Sequence, residues 1–257
     1  MNTALIIAGF IAVLILVVAL LYSTVGHAGA SGYLAVLALF WYSPAVMKPT
    51  ALVLNIIVAL VATVGFFRAG FFSWRTFWPF AVASIPAAYI GGSLTLPVFI
   101  YKLIVGLVLL YSAVRLYLEA SYADKGKATT VPIWIALILG AGIGLLSGLT
   151  GVGGGIFLSP VLLLMHWAKT KETSAVSAAF ILFNSIAGLV GHISVISFNI
   201  PNGITYWAPA ALIGGWIGTE LGTKLLPISA LRKWLSVVLV LAGLKLTGEA
   251  ILLVIGR

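Results

Sequence analysis

The sequence predicts an all-α polytopic membrane protein made of two inverted repeats of five crossings each, with short or broken helices at two glycine-rich motifs. Three observations carry this prediction. Hydrophobic residues make up 62% of the chain and charged ones 7%, with a mean hydropathy of +1.22, far from the balance of a soluble domain. Apolar runs of membrane-spanning length recur along the chain, and its two halves can be laid on each other in order.

A run of roughly 17 to 25 apolar residues spans a bilayer. The predicted spans are Thr3–Tyr22, Thr50–Phe67, Thr76–Leu96, Val98–Leu118, Val131–Leu149, Ser174–Ser197, Ile204–Leu226 and Ser229–Thr247, followed by a short apolar tail to Arg257. The first run has no Lys or Arg before it, so a cleaved leader with a charged start fits poorly, and Thr3–Tyr22 is read as a crossing. Two shorter apolar pieces, Ala30–Trp41 and Ile156–Trp167, each follow a glycine-rich interruption.

Charge decides how to count those two pieces. If neither crosses, Arg68, Arg75, Arg115, Lys125, Lys127, Lys245 and Arg257 share one side and the other seven Lys and Arg the opposite side, so no orientation is favoured. If both cross, Arg68, Arg75, Arg115, Lys125, Lys127, Lys169, Lys171, Lys224, Arg232 and Lys233 gather on one side. Only Lys48, Lys102, Lys245 and Arg257 face them. Ten against four is the bias of a cytoplasmic side, which gives ten crossings with both termini outside the cytoplasm.

The repeat has the same parity. With a shift near 130 residues, Val25-Gly26-His27-Ala28-Gly29-Ala30 falls on Thr150-Gly151-Val152-Gly153-Gly154-Gly155, and Asn55 on Asn184. Further along, Phe77-Trp78 falls on Tyr206-Trp207, Pro97 on Pro227, Lys102 on Arg232 and Arg115 on Lys245. Five crossings per copy turn the second copy upside down. Residues 1–118 form the first transmembrane repeat and 131–257 the second, joined by a polar cytoplasmic linker, 119–130, that carries Asp124, Lys125 and Lys127.

The stretch Leu146 to Pro160 holds glycines at 148, 151, 153, 154 and 155 together with Ser147 and Thr150, too many for a continuous helix. In hydrocarbon a broken helix persists only where protein buries it or where it lines a cavity. A helix restarting near Gly153 to Ile156 aims free amides and a positive dipole end at the occupant of that cavity, so the fitting occupant is an anion. The candidate binding residues are Thr150, Gly151, Gly153, Gly154 and Gly155 from this break, and Ser23, Thr24, Gly26, His27, Gly29 and Ser31 from its first copy. The buried amides Asn55 and Asn184 complete the set. The same glycines also suit close helix packing, and Asn55 and Asn184 also suit helix-to-helix hydrogen bonding. His27 stands where the second copy has Val152; its imidazole suits either an oxyanion or a structural bond.

Other residues read as structural. Glu220 stands on a helix with Gly214, Gly218 and Gly222, but its i+4 neighbour Lys224 makes a plain ion pair the simpler role, and Lys245 and Glu249 have the same spacing. Trp78 and Trp207, with Phe77 and Tyr206, read as an interfacial belt. His166 and His192 have no assigned role. Three dispersed His and five acids give no metal-ligand spacing, and the absence of Cys removes thiolate sites. The glycine stretch lacks the Gly-Lys-Ser/Thr of a nucleotide loop, no catalytic cluster is visible, and scattered basic residues argue against nucleic acid. No metal or other cofactor is called for.

Leu146-Ser-Gly-Leu-Thr-Gly-Val-Gly-Gly-Gly-Ile-Phe-Leu-Ser-Pro160 and its degenerate copy Tyr22-Ser-Thr-Val-Gly-His-Ala-Gly-Ala-Ser-Gly32 resemble the TauE/SafE sulfite exporter family, also called the toluene sulfonate uptake permease family. Thr173–Gly188 with Asn184, and Gly214-Gly-Trp-Ile-Gly-Thr-Glu-Leu-Gly222, extend the resemblance over nearly the whole chain. It implies a polytopic transporter in the bacterial inner membrane that moves sulfite, sulfonates, sulfoacetate or a thiosulfate-like anion, not an enzyme. The expected partners are that small anion and membrane lipid, and a homo-oligomer is compatible with the sequence. A carrier of another small organic anion, or a non-transporting membrane scaffold subunit, is the alternative.

Overall fold

A computed structural model of the chain describes residues 3–118, 129, 131–196, 200–224 and 229–255. Within them lie ten helices: α1 (Thr3–Ser23), α2 (Ala30–Leu39), α3 (Pro44–Arg68), α4 (Trp74–Ser93), α5 (Val98–Leu118), α6 (Ile133–Thr150), α7 (Gly155–Leu164), α8 (Thr170–Ile193), α9 (Ile204–Lys224) and α10 (Ser229–Ile255). No strand occurs among the described residues. By length and apolar content α1, α3, α5, α6, α8 and α10 are each able to cross a membrane, while α2 and α7 are shorter apolar helices. The linker 119–130, apart from Thr129, and the ends of the expected spans at Ser197, Leu225 and Leu226 lie outside the described residues.

Some boundaries move for local reasons. Helix α3 begins six residues before the expected Thr50, because Pro44 occupies its first turn, where a missing amide costs nothing, and Pro49 falls just one turn further in. Helix α10 continues unbroken through the expected tail to Ile255. The start of α4 is capped by Ser73, whose Oγ accepts from the Thr76 amide at 3.4 Å.

Small residues set the helix pairs. On α6, a side-chain carbon at Gly140, Gly144 or Gly148 would collide with the carbonyls of Phe80, Ser84 and Ala88 on α4. On α9, Gly214 and Gly218 meet the carbonyls of Leu16 and Leu20 on α1, and Gly222 that of Thr24 just past its end, in the same way. Residue numbers rise together in both contacts, so each pair is parallel, with backbones as close as small-residue packing allows. A further such contact, α5 on α10, is antiparallel: Gly106 meets Gly243 and Thr247, and Lys102 pairs with Glu249 at 2.7 Å.

Helices α3 and α8 form the central pair. Ala62 and Phe66 near the end of α3 cluster with Ala175 and Ala178 near the start of α8, whereas Asn55 reaches Ser185, so the two run antiparallel. The pairs α1·α9, α3·α9 and α2·α3 correspond to α6·α4, α8·α4 and α7·α8 when each helix is exchanged for the one five places along. Large apolar side chains face outward around this centre, such as Ile138 at 65% and Leu252 at 70% exposure. That surface suits lipid, not water.

The aromatic belt expected at Trp78 and Trp207 loses Trp207. Trp78 is half exposed, but Trp207 is fully buried, donating from Nε1 to the Ala8 carbonyl at 3.1 Å and meeting Tyr42 edge-on. The buried equivalents are Phe77 and Trp207, one register step away from the Phe77-to-Tyr206 match read in the sequence. The expected i,i+4 pair of Glu220 and Lys224 is present at 2.5 Å on an exposed surface. Glu249 stands 3.9 Å from Lys245 and closer to Lys102.

Candidate functional site

Two interruptions of the same shape lie between α1 and α2 and between α6 and α7. Gly26 and Gly29 have φ of 73° and 100°, and Gly151 and Gly154 have 84° and 83°. Only glycine adopts this left-handed backbone without steric cost, so both turns depend on these positions. Each break leans on the long helix of the other half of the chain: Gly26 abuts the Ser174 carbonyl of α8, and Gly151 the Lys48 carbonyl of α3. Ser174 and Lys48 stand at the same place, four residues into α8 and α3.

The breaks meet near mid-length of α8. The His27 Nε2 lies 2.7 Å from the Ser159 Oγ of α7, and Ser159 lies 2.8 Å from the Ser177 Oγ of α8. The His27 ring also lies alongside Gly155, the first residue of α7, at 3.5 Å from where a side-chain carbon would be. Gly153 rests against Asn55, Ile181 and Ser185, and the Asn55 Nδ2 donates to the Ser185 Oγ at 3.4 Å. His27, Asn55, Ser159, Ser177 and Ser185 are all buried. The amides of Phe157 and Leu158 bond the Gly154 carbonyl, while those of Gly155 and Ile156, at the α7 start, make no backbone hydrogen bond among the described residues.

Not every candidate joins this centre. Asn184 donates to the Phe180 carbonyl of its own helix at 2.8 Å, so the two asparagines have different surroundings despite their match in sequence. The Ser31 Oγ lies 2.7 Å from the Tyr22 hydroxyl, and the Thr24 and Thr150 hydroxyls donate to the carbonyls of Leu21 and Leu146 at 2.7 Å. Gly29 packs against Tyr33, whose hydroxyl donates to the Ala28 carbonyl at 2.6 Å. Ser23 is fully buried, and its Oγ has no partner among the described residues.

The centre is thus a buried group of hydroxyls, amides and an imidazole next to a helix start. A family profile described as "Sulfite exporter TauE/SafE" matches residues 11–246. The chain belongs to the TauE/SafE sulfite exporter family. It is 43% identical to the probable membrane transporter protein y4hK of Sinorhizobium fredii over 240 residues, 92% of this chain and 96% of that protein. It is 25% identical to the probable membrane transporter protein YunE of Bacillus subtilis, over 81% of this chain and 83% of that one. A third relative, the probable membrane transporter protein MJ0441 of Methanocaldococcus jannaschii, is 27% identical over 67% of each chain. No solved structure matches the chain. This TauE/SafE member is therefore an integral membrane transporter.

The centre of the transporter includes residues that the sequence did not single out. Ser174, Ser177, Ser185 and Gly188 lie along the face of α8 that meets α3 and the breaks, and the helical period puts His192 on the same face, with Lys48 and Asn55 opposite on α3. Serine is common in membrane helices as a packing residue, so spacing alone does not mark it. Lys48, just before Pro49, reads in sequence as a loop charge, yet it is buried inside the bundle. From Ser174 to His192 this polar seam extends about 27 Å at 1.5 Å per residue, close to the thickness of the hydrocarbon layer.

Proposed function

We propose that the protein is a secondary transporter that moves a small sulfur-containing anion, such as sulfite, a sulfonate, sulfoacetate or thiosulfate, across the bacterial inner membrane. The observation that carries this reading is the approach of both breaks to one buried polar centre, with His27 of the first break alongside Gly155 at the start of α7. The open α7 amides, the imidazole and the Ser159 and Ser177 hydroxyls replace the water shell of the anion. The family's name supports sulfite and related anions.

Residues 1–118 and 131–257 act as two inverted repeats with the polar linker in the cytoplasm and both termini outside. The antiparallel α3–α8 pair and the ten-to-four distribution of basic residues support that arrangement. The centre is tightly packed, so an anion enters only when the repeats rock apart, and rocking about the α3–α8 contact exposes it to one side at a time. An open cleft bounded by Arg75, Thr76 and Glu172 lies at the starts of α4 and α8, the cytoplasmic end in this orientation.

The test is transport into vesicles that contain only the purified protein, with radiolabelled sulfite, thiosulfate, methanesulfonate and sulfate. Saturable movement of at least one of the first three is expected. Folded, reconstituted protein that moves none of them would sink the proposal. Movement of an organic carboxylate in their place would favour the alternative of another organic anion.

A further inference from the structure

Lys48 is 5% exposed, and its ammonium donates to the Gly92 carbonyl at 3.0 Å and the Gly91 carbonyl at 3.4 Å, at the carboxyl end of α4. Two carbonyls satisfy two of its three donors. No carboxylate among the described residues pairs with it. Glu172 accepts from Thr76, Glu220 pairs with Lys224, and Glu249 pairs with Lys102 and Lys245. His192 of α8 is 2% exposed, and Gly191 just before it packs on the Tyr89 carbonyl and the Ser93 amide, at the same end of α4 that Lys48 reaches; neither ring nitrogen of His192 has a hydrogen-bond partner among the described residues. A buried cation without a counter-ion beside a buried imidazole without a partner is an expensive arrangement, and one ligand satisfies both.

That ligand is an oxyanion. It accepts from the third ammonium proton and from the imidazole N–H, and its charge offsets that of the ammonium. The Lys48 side chain passes within 3.4 Å of where a side-chain carbon on Gly151 would stand, so the pair belongs to the second break and not to a separate surface site. We infer that Lys48 and His192 form a second station for the transported anion, at the end of the α3–α8 seam opposite Gly26 and Ser174. In the proposed orientation this end faces outward, so the station receives the anion on import or holds it last on export. The inference rests on the functional reading above and adds to it the residue that balances the anion's charge.

The competing role is purely structural, with Lys48 serving only as a C-terminal cap for α4. Initial rates in vesicles and anion-induced shifts of melting temperature in detergent, both with sulfite, thiosulfate and methanesulfonate, separate the two on the full chain. Lys48→Met is expected to raise KM about tenfold or more, the loss of one charge-assisted hydrogen bond, and to abolish the anion-induced shift. Lys48→Arg keeps the charge and retains most of both, and His192→Phe raises KM while the milder His192→Gln partly restores it. A Lys48→Met protein that melts lower but keeps its KM and its anion-induced shift would assign Lys48 to the cap and overturn the inference. If Lys48→Met does not fold, an unchanged KM and an unchanged anion-induced shift in His192→Phe overturn it equally. An unmodified protein that neither moves nor binds any of the three anions would overturn the functional reading and this inference with it, a result distinct from failure of the variants alone.

Discussion

At the scale of single residues, His27 is the most informative side chain of the centre. Its Nε2 faces Ser159 while its ring flanks the start of α7, so one imidazole ties the first break to the second half of the chain. Replacing His27 by Leu removes a donor to a charged ligand, and a KM rise of about 10- to 100-fold is the expected result in the vesicle assay, corresponding to ~1.5–3 kcal/mol. His27→Gln, which keeps a donor, should recover much of that loss. An unchanged KM in His27→Leu would make the residue structural. Gly26 offers a separate prediction about stability. Its φ of 73° and its contact with the Ser174 carbonyl leave no room for a side chain, so Gly26→Ala is expected to cost about 1–3 kcal/mol and to lower the melting temperature in detergent.

Much of this residue-level picture was legible in the sequence, but unevenly. The glycines announced both breaks because helix propensity forbids so many in one span, and His27 stood out as the odd residue in the degenerate copy. Lys48 was hidden by Pro49. A proline reads as a helix boundary, so the sequence predicts a span that starts after it and a lysine among the loop charges; in three dimensions Pro49 costs only one turn of α3. Ser159, Ser177 and Ser185 were hidden for a different reason, since a hydroxyl in a membrane helix usually bonds a carbonyl in its own preceding turn, as Thr219 does to Gly215 at 2.7 Å. Which hydroxyls do otherwise depends on the neighbouring helix, and no spacing in one segment records that.

At the scale of elements, the fold is held by close helix contacts built on small residues and by a central antiparallel pair. Existence and order of all ten helices follow from hydropathy and glycine breaks. Register does not, because a shift of one residue between α4 and α9 leaves hydropathy unchanged yet decides whether Tyr206 or Trp207 is buried. The Trp207 side chain is enclosed and hydrogen-bonded to Ala8, so Trp207→Ala should destabilise the α1–α9 contact by about 3–5 kcal/mol, whereas the exposed Trp78→Ala should leave thermal stability nearly unchanged. Equal melting temperatures for the two variants would contradict the register described here. Gly144→Leu is expected to prevent close α4–α6 packing and to abolish folded protein in size-exclusion profiles, since its neighbour is the Ser84 backbone and not a movable side chain.

At the scale of the whole molecule, charge and topology make a joint prediction. The chain has no cysteine, so single cysteines introduced at exposed ends report orientation without background. A cysteine at Lys171 should react with a membrane-impermeant thiol reagent only from the cytoplasm, and one at the exposed Trp41 only from outside. The reverse pattern would invert the orientation, and labelling of both from one side would remove the odd number of crossings per repeat. Beyond orientation, the central claim is that two breaks, brought together against α3 and α8, hold one anion in the middle of the membrane. The most direct measurement is an experimental structure of the full protein with a heavier oxyanion such as selenite, located by anomalous scattering. If both breaks hold the anion, a selenium peak lies within the α3–α8 seam in contact with His27 and the amides at the start of α7, and any second peak lies at Lys48 and His192. A peak on the lipid-facing surface, or in the cleft at Arg75 and Glu172 alone, would contradict it.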